Sequence, residues 1–135
     1  MQGGSIMKIV SLDHITINVS DLEKSKDFYG NVLKLDEAGF IDLGDHNLTY
    51  YRLTQECRLE LINYLTPQET AVITETHLNS YRHFCVETDN LDQVYQDCKD
   101  HQVVIRQAPA YVEKLSCTTM LIVDPNGVEI EIIQR

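Results

Sequence analysis

Apolar and polar positions along this chain fall into the same order twice. Met7 to Val19 is rich in β-branched residues and partly alternating, which predicts a strand. Ser20 then caps a helix, Glu23 completes a capping box, and Leu22, Tyr29, Val32 and Leu33 give it an apolar stripe as far as about Leu33. Runs at 39–41, 48–53 and 58–62 predict three more strands, with Asp45-His46-Asn47 as a turn. The polar stretch 66–79, which contains Pro67, links this half to the next. Tyr81 to Thr88 then predicts a strand, and Asn90 with Gln93 a second capped helix bearing Leu91, Val94, Tyr95 and Cys98 on one face. Runs at 103–105, 118–123 and 128–133 predict the last strands, the final two joined by the turn Asp124-Pro125-Asn126-Gly127. Each half therefore reads β-α-β-β-β. The expected class is α+β, with two tandem modules, 7–65 and 80–135, whose curved mixed sheets surround a cleft. Residues 1–6 read as a tag remnant or a flexible arm.

The repeat places chemistry at matching addresses. His14 opens the first strand of one half and His83 that of the other, while Glu60 and Glu131 lie in the closing strands. His14 and Glu60 are 46 residues apart, His83 and Glu131 48. Alternation puts each acid on the opposite face from its apolar neighbours, Leu59 and Leu61 or Ile130 and Ile132. For a single acid this is the solvent face of an amphipathic strand. The paired intervals point further, to two imidazoles and two carboxylates converging on one divalent cation. His46, His77 and His101 sit in turn or helix-end contexts and are read as exposed.

Composition narrows the partners. Eleven basic residues against 21 acidic ones give a formal net charge of −10 over 135 residues. Such a surface repels nucleic acid and acidic membranes. No apolar run approaches a membrane span, no secretory signal is visible, and the cytoplasm is the expected compartment. The four cysteines lack CxxC spacing. Cys85, Cys98 and Cys117 read as buried, inert thiols rather than disulfide partners or nucleophiles.

Four segments carry a family resemblance: Leu12-Asp13-His14-Ile15-Thr16-Ile17-Asn18-Val19-Ser20-Asp21-Leu22, Asp27-Phe28-Tyr29, the His83 strand, and Asp124-Pro125-Asn126-Gly127-Val128-Glu129-Ile130-Glu131. They resemble the vicinal oxygen chelate superfamily of glyoxalase I, methylmalonyl-CoA epimerase, extradiol dioxygenases and bleomycin-binding proteins. The resemblance runs from about Met7 to Arg135. It implies His14, Glu60, His83 and Glu131 as metal ligands for Zn, Ni, Co, Mn or Fe, with a small-molecule substrate chelated through adjacent oxygens. A Glu at position 60 looks like the glyoxalase I arrangement, where the epimerase-like branch often has Gln and the dioxygenases use two His and one Glu. The implied activity is that of a lyase or isomerase moving a proton beside a carbonyl, with Glu131 or Glu60 as the shuttle. A ring-cleaving dioxygenase and a non-catalytic small-molecule binder are the alternatives, and a thiol transferase opening an epoxide is a weaker one. Asn18 replaces the glutathione-binding Arg of glyoxalase I-like proteins, and Tyr64 stands where they have Asn, which argues against glutathione hemithioacetal. Tyr50, Tyr51, Tyr64, Tyr81 and Tyr111, with Arg52, Arg58 and Met120, are candidates to line a pocket for a small organic acid or sugar-like molecule, beside the plainer reading of strand packing. Open sheet edges and shallow clefts lead us to expect a homodimer, with the metal held within one chain or between subunits.

Overall fold

The computed structural model of the protein describes residues 8–69, 78–79 and 81–135. The first half comprises β1 (His14–Asn18), α1 (Leu22–Lys26) continuing as a π-helical segment (Asp27–Val32), β2 (Glu37–Asp42), β3 (His46–Arg52) and β4 (Arg58–Tyr64). The second comprises β5 (Phe84–Glu87), α2 (Leu91–Asp100), β6 (Val104–Val112), a 3₁₀ turn (Glu113–Leu115), β7 (Cys117–Val123) and β8 (Glu129–Gln134). The β-α-β-β-β order occurs twice, as the alternation predicts. Each half forms a four-stranded mixed sheet, ordered β1-β4-β3-β2 and β5-β8-β7-β6. In both, the first strand runs parallel to the last and the other pairings are antiparallel.

Several boundaries differ from the sequence reading, each for a local reason. β1 starts at His14 rather than Met7, because its partner β4 starts at Arg58, opposite His14. Ile9, Val10 and Leu12 upstream stay exposed. Asp21, not Ser20, caps α1. Its backbone is extended and its carboxylate accepts from Lys24 N at 3.2 Å, while Ser20 N donates to Asn126 Oδ1 at 3.0 Å. His46 and Asn47 belong to β3, and the reversal falls earlier, where Gly44 takes φ +93°. Tyr81, Arg82 and His83 precede β5. Asn90 caps α2 through Gln93 N at 3.2 Å, but the Gln93 side chain turns to Asp97 at 2.9 Å, so half of the capping box closes. The arm at 1–6 and most of the linking stretch lie outside the described residues.

The buried faces of both sheets meet the helices in one core. Leu59 and Leu61 of β4, Met120 and Ile122 of β7, and Ile130 and Ile132 of β8 pack with Phe28, Tyr29, Leu91 and Cys98. Burial of each large apolar side chain contributes about 1.5–3 kcal/mol. Polar contacts also cross between the halves. The Asp124–Gly127 turn forms, with Gly127 at φ +84°, and Asp124 Oδ1 accepts from Asn126 N and Val128 N, both at 2.8 Å. Asp124 Oδ2 accepts from Tyr29 OH at 2.7 Å, and Asn126 Nδ2 donates to Ser25 Oγ at 3.0 Å. Buried apolar faces turned inward leave the opposite faces of β1, β4, β5 and β8 to carry function.

Candidate functional site

On the first sheet, register sets Thr16 opposite Glu60 and His14 opposite Arg58. Strand alternation then gathers His14, Thr16, Arg58 and Glu60 on the face away from the core. Glu60 is only 9% exposed, and both its oxygens are occupied. Thr16 Oγ1 donates to Oε1 at 3.0 Å, and the Tyr50 hydroxyl donates to Oε2. That bond to Glu60, ahead of burial, pushes the Tyr50 phenol above its ordinary value. The Arg58 guanidinium lies over the Tyr50 ring, 4.0 Å from its centroid. His14 is more open, and its Nδ1 sits 2.7 Å from Asp13 Oδ2. The His14 contact lowers the Asp13 carboxyl below its usual range.

The second sheet repeats the plan with different neighbours. Cys85 stands opposite Glu131 as Thr16 stands opposite Glu60. Glu131 Oε2 accepts from Thr119 Oγ1 at 2.7 Å, and Oε1 faces His83 Nε2 at 3.3 Å. The Thr119 hydrogen bond does most to hold the Glu131 carboxyl below its usual range. Two residues earlier on the same face, Glu129 is 5% exposed. Its Oε1 accepts from Arg82 Nε at 2.9 Å and its Oε2 from Arg106 Nη1 at 2.5 Å. Burial raises the Glu129 carboxyl, but the two guanidiniums outweigh burial and keep it below the ordinary value. Oε1 also lies 3.5 Å from His83 Nδ1, a buried nitrogen with no hydrogen-bond partner.

The structure thus brings His83 and Glu131 together and sets His14 and Glu60 on one face without a hydrogen bond or ion pair between them. Among the described residues, no group of three or more His, Cys, Asp and Glu side chains is close enough to hold a cation within this one chain. The expected pocket-lining set divides. Tyr50 and Arg58 flank Glu60, whereas Tyr51 and Met120 point into the core. Tyr64, Tyr81 and Tyr111 are exposed. Cys57, Cys98 and Cys117 are buried, but Cys85 is exposed, contrary to expectation, because it lies on the outward face opposite Glu131. His46 is half-buried, paired with Asp45 at 2.6 Å and stacked on Tyr64, so it is not the free turn histidine expected. His101 is exposed at the α2 C-terminus, and His77 lies outside the described residues. Sequence reasoning missed the roles of Glu129, Thr16 and Thr119. Their signal was parity, since each shares its strand face with a candidate ligand or with that ligand's cross-strand neighbour.

Two addresses that recur in two sheets, with the same residue types at each, are a family signature, and residues 11–132 match the Glyoxalase/Bleomycin resistance protein/Dioxygenase superfamily. The chain belongs to that superfamily. Among curated relatives of this glyoxalase-like protein, bovine (Bos taurus) mitochondrial methylmalonyl-CoA epimerase is 24% identical over 112 residues, 81% of this chain and 64% of the relative. The human (Homo sapiens) enzyme is 25% identical over 103 residues, covering 74% and 58%. The chain therefore spans about three-fifths of the length of these relatives. Solved structures share the glyoxalase-like fold. Glyoxalase I from Zea mays superposes with a TM-score of 0.79 at 19% identity, over 92% of this chain and 44% of that one. The trypanothione-dependent glyoxalase I of Leishmania major gives 0.70 at 23%, over 93% and 87%. An antibiotic binding protein from Streptomyces sp. CB03234 gives 0.74 at 20%, over 96% and 98%.

Proposed function

We propose that this protein is a metal-dependent lyase or isomerase that moves a proton beside the carbonyl of a small substrate bound through adjacent oxygens. The observation that carries the reading is the His83–Glu131 pair. Nitrogen and carboxylate ligands each lie about 2.0–2.2 Å from a divalent ion such as zinc. Two adjacent ligands of one ion are therefore about 3.0–3.5 Å apart, and 3.3 Å between Nε2 and Oε1 fits. His14 and Glu60 supply the same donor types at the same address of the other sheet. Zn, Ni, Co, Mn and Fe all suit two imidazoles and two carboxylates.

When bound, the cation polarises the substrate carbonyl and makes the adjacent C–H more acidic. The chain's residues divide the remaining work. Glu60, with both oxygens accepting from hydroxyls and almost no exposure, is a fixed ligand. Glu131 is more open and directs Oε1 at His83, so it takes the role of proton shuttle. Named relatives support the reaction class, since methylmalonyl-CoA epimerase is an isomerase by name. We further propose that a second copy of the chain brings the half-sites together in a homodimer. Exposed Ile9, Val10 and Leu12 before β1, with Phe40, Ile41 and Leu43 on and after β2, supply apolar surface for such association.

Elemental analysis of protein purified without a metal-affinity step, followed by a panel of 2-oxoaldehydes and epimerisable acids, tests this reading. One divalent ion per chain and turnover abolished by chelator are expected. His83→Ala should lose the metal and stay folded. Full metal content in that variant, or oxygen uptake in place of isomerisation, defeats the proposal.

A further inference from the structure

The two half-sites share a histidine and a glutamate but transpose the charges around them. Asp13 precedes His14, whereas Arg82 precedes His83. Arg58 lies two residues before Glu60, whereas Glu129 lies two residues before Glu131. Acid and base have exchanged addresses, yet in both halves a carboxylate faces the histidine Nδ1. In the first it is Asp13, at 2.7 Å. In the second it is Glu129, at 3.5 Å. His83 stands between two carboxylates of one strand face, Glu129 on the Nδ1 side and Glu131 on the Nε2 side.

We propose that Glu129 is the positioning residue of the second half-site: Nε2–H of His83 donates to Glu131 in this structure, and once Nε2 is given to a cation the ring proton moves to Nδ1, where Glu129 stands to accept it and hold the ring in place. A metal-binding imidazole must be neutral, and which nitrogen is free is decided by what the other one binds. His83 Nδ1 is buried with no hydrogen-bond partner, a state that costs free energy once it carries the proton unless a neighbour accepts it. Glu129 is the neighbour, and closing the gap to hydrogen-bond length needs a movement of about 0.5 Å. Arg82 and Arg106 explain why Glu129 orients rather than ligates. They occupy both its oxygens and set two positive charges against any cation that would approach it.

The inference rests on the metal reading above, and its test separates the two. In full-length protein, nitrogen NMR of the His83 ring should show the Nε2–H tautomer without metal and Nδ1–H once zinc is added, and Glu129→Gln should shift the Nδ1 resonance of the zinc-bound ring. Chelator competition with zinc or nickel alone should then show affinity about 10- to 100-fold lower in Glu129→Gln than in wild type. Arg106→Gln keeps the carboxylate while disturbing the same cluster, and it should stay within about threefold of wild type in the same comparison. An equal loss in Arg106→Gln, or an unmoved Nδ1 resonance with unmoved affinity in Glu129→Gln, overturns the assignment. A wild-type protein that binds neither metal sinks the metal reading, whereas binding that Glu129→Gln leaves unchanged overturns this assignment alone.

Discussion

Tyr29 donates its hydroxyl to Asp124 across 95 positions of sequence, at 2.7 Å, in the core between the two halves. The contact ties the π-helical segment of the first module to the turn before β8, the strand that carries Glu129 and Glu131. Burial first, and then the Asp124 charge, push the Tyr29 phenol far above its ordinary value, so it stays a donor at every physiological pH. Tyr29→Phe removes one charge-assisted bond and leaves Asp124 its three bonds from Asn126 and Val128. The expected loss is about 1.5–3 kcal/mol. Urea titration should show a lower midpoint with the slope unchanged.

Tyr50 supports Glu60 in a different way, through its hydroxyl on one side and its ring under Arg58 on the other. Tyr50→Phe keeps the stacking and removes the donor from a nearly buried carboxylate, which retains only the bond from Thr16. A cost of about 1–3 kcal/mol in stability is expected. A ligand left with one holder also binds a cation less tightly, so a several-fold rise in the zinc dissociation constant should accompany it. Unchanged stability with unchanged zinc affinity would mean that Glu60 is held by its backbone alone.

Much of this was legible in the chain because it rests on alternation. Leu59 and Leu61 must face inward, which obliges Glu60 to face outward, and the same parity fixes Glu131 between Ile130 and Ile132. The order of elements followed from capping residues and turns, both local signals. What resisted reading depended on distant partners. Nothing near Met7 announces that the strand waits until His14, since the length of β1 is set by where β4 begins. Asp124-Pro125-Asn126-Gly127 reads as a turn, but its binding of Tyr29, Ser20 and Ser25 is visible only once the halves are packed. Cys85 was misjudged because a thiol in an apolar run looks buried until the register puts it opposite Glu131.

Cys85 is exposed, yet its environment silences it. Burial of the sulfur, chiefly, and then the Glu131 charge raise its pKa to about 11 from an ordinary value of 9.0. That shift leaves about 100-fold less thiolate at neutral pH, partly offset by the greater nucleophilicity of a more basic sulfur. Iodoacetamide at pH 7.5 should therefore label Cys85 roughly tenfold more slowly than a free cysteine in the urea-unfolded chain. Neutralising the neighbour by Glu131→Gln should speed the labelling. Alkylation as fast in the native protein as in the unfolded one would make Cys85 a candidate nucleophile after all.

Acid should unfold this protein through Glu129 in particular. Its carboxyl is held below the ordinary 4.5 because Arg82 and Arg106 outweigh the burial that opposes them. In the unfolded chain the same group titrates near that ordinary value, so the unfolded state binds the proton first as pH drops. The stability Glu129 contributes is accordingly complete above the unfolded value and is lost as pH falls through the lower folded one. Wild-type protein should therefore lose stability progressively as pH falls below the ordinary 4.5, as followed by urea midpoints at each pH. Glu129→Gln has no proton to take up at that position. It should be less stable than wild type at pH 7 and show a shallower decline across the acid range, the two curves converging as the wild-type carboxyl protonates. Parallel curves would show that the Arg82–Glu129–Arg106 cluster contributes nothing to folding and that acid acts elsewhere, with Asp13, Asp45 and Asp97 also held low by their partners.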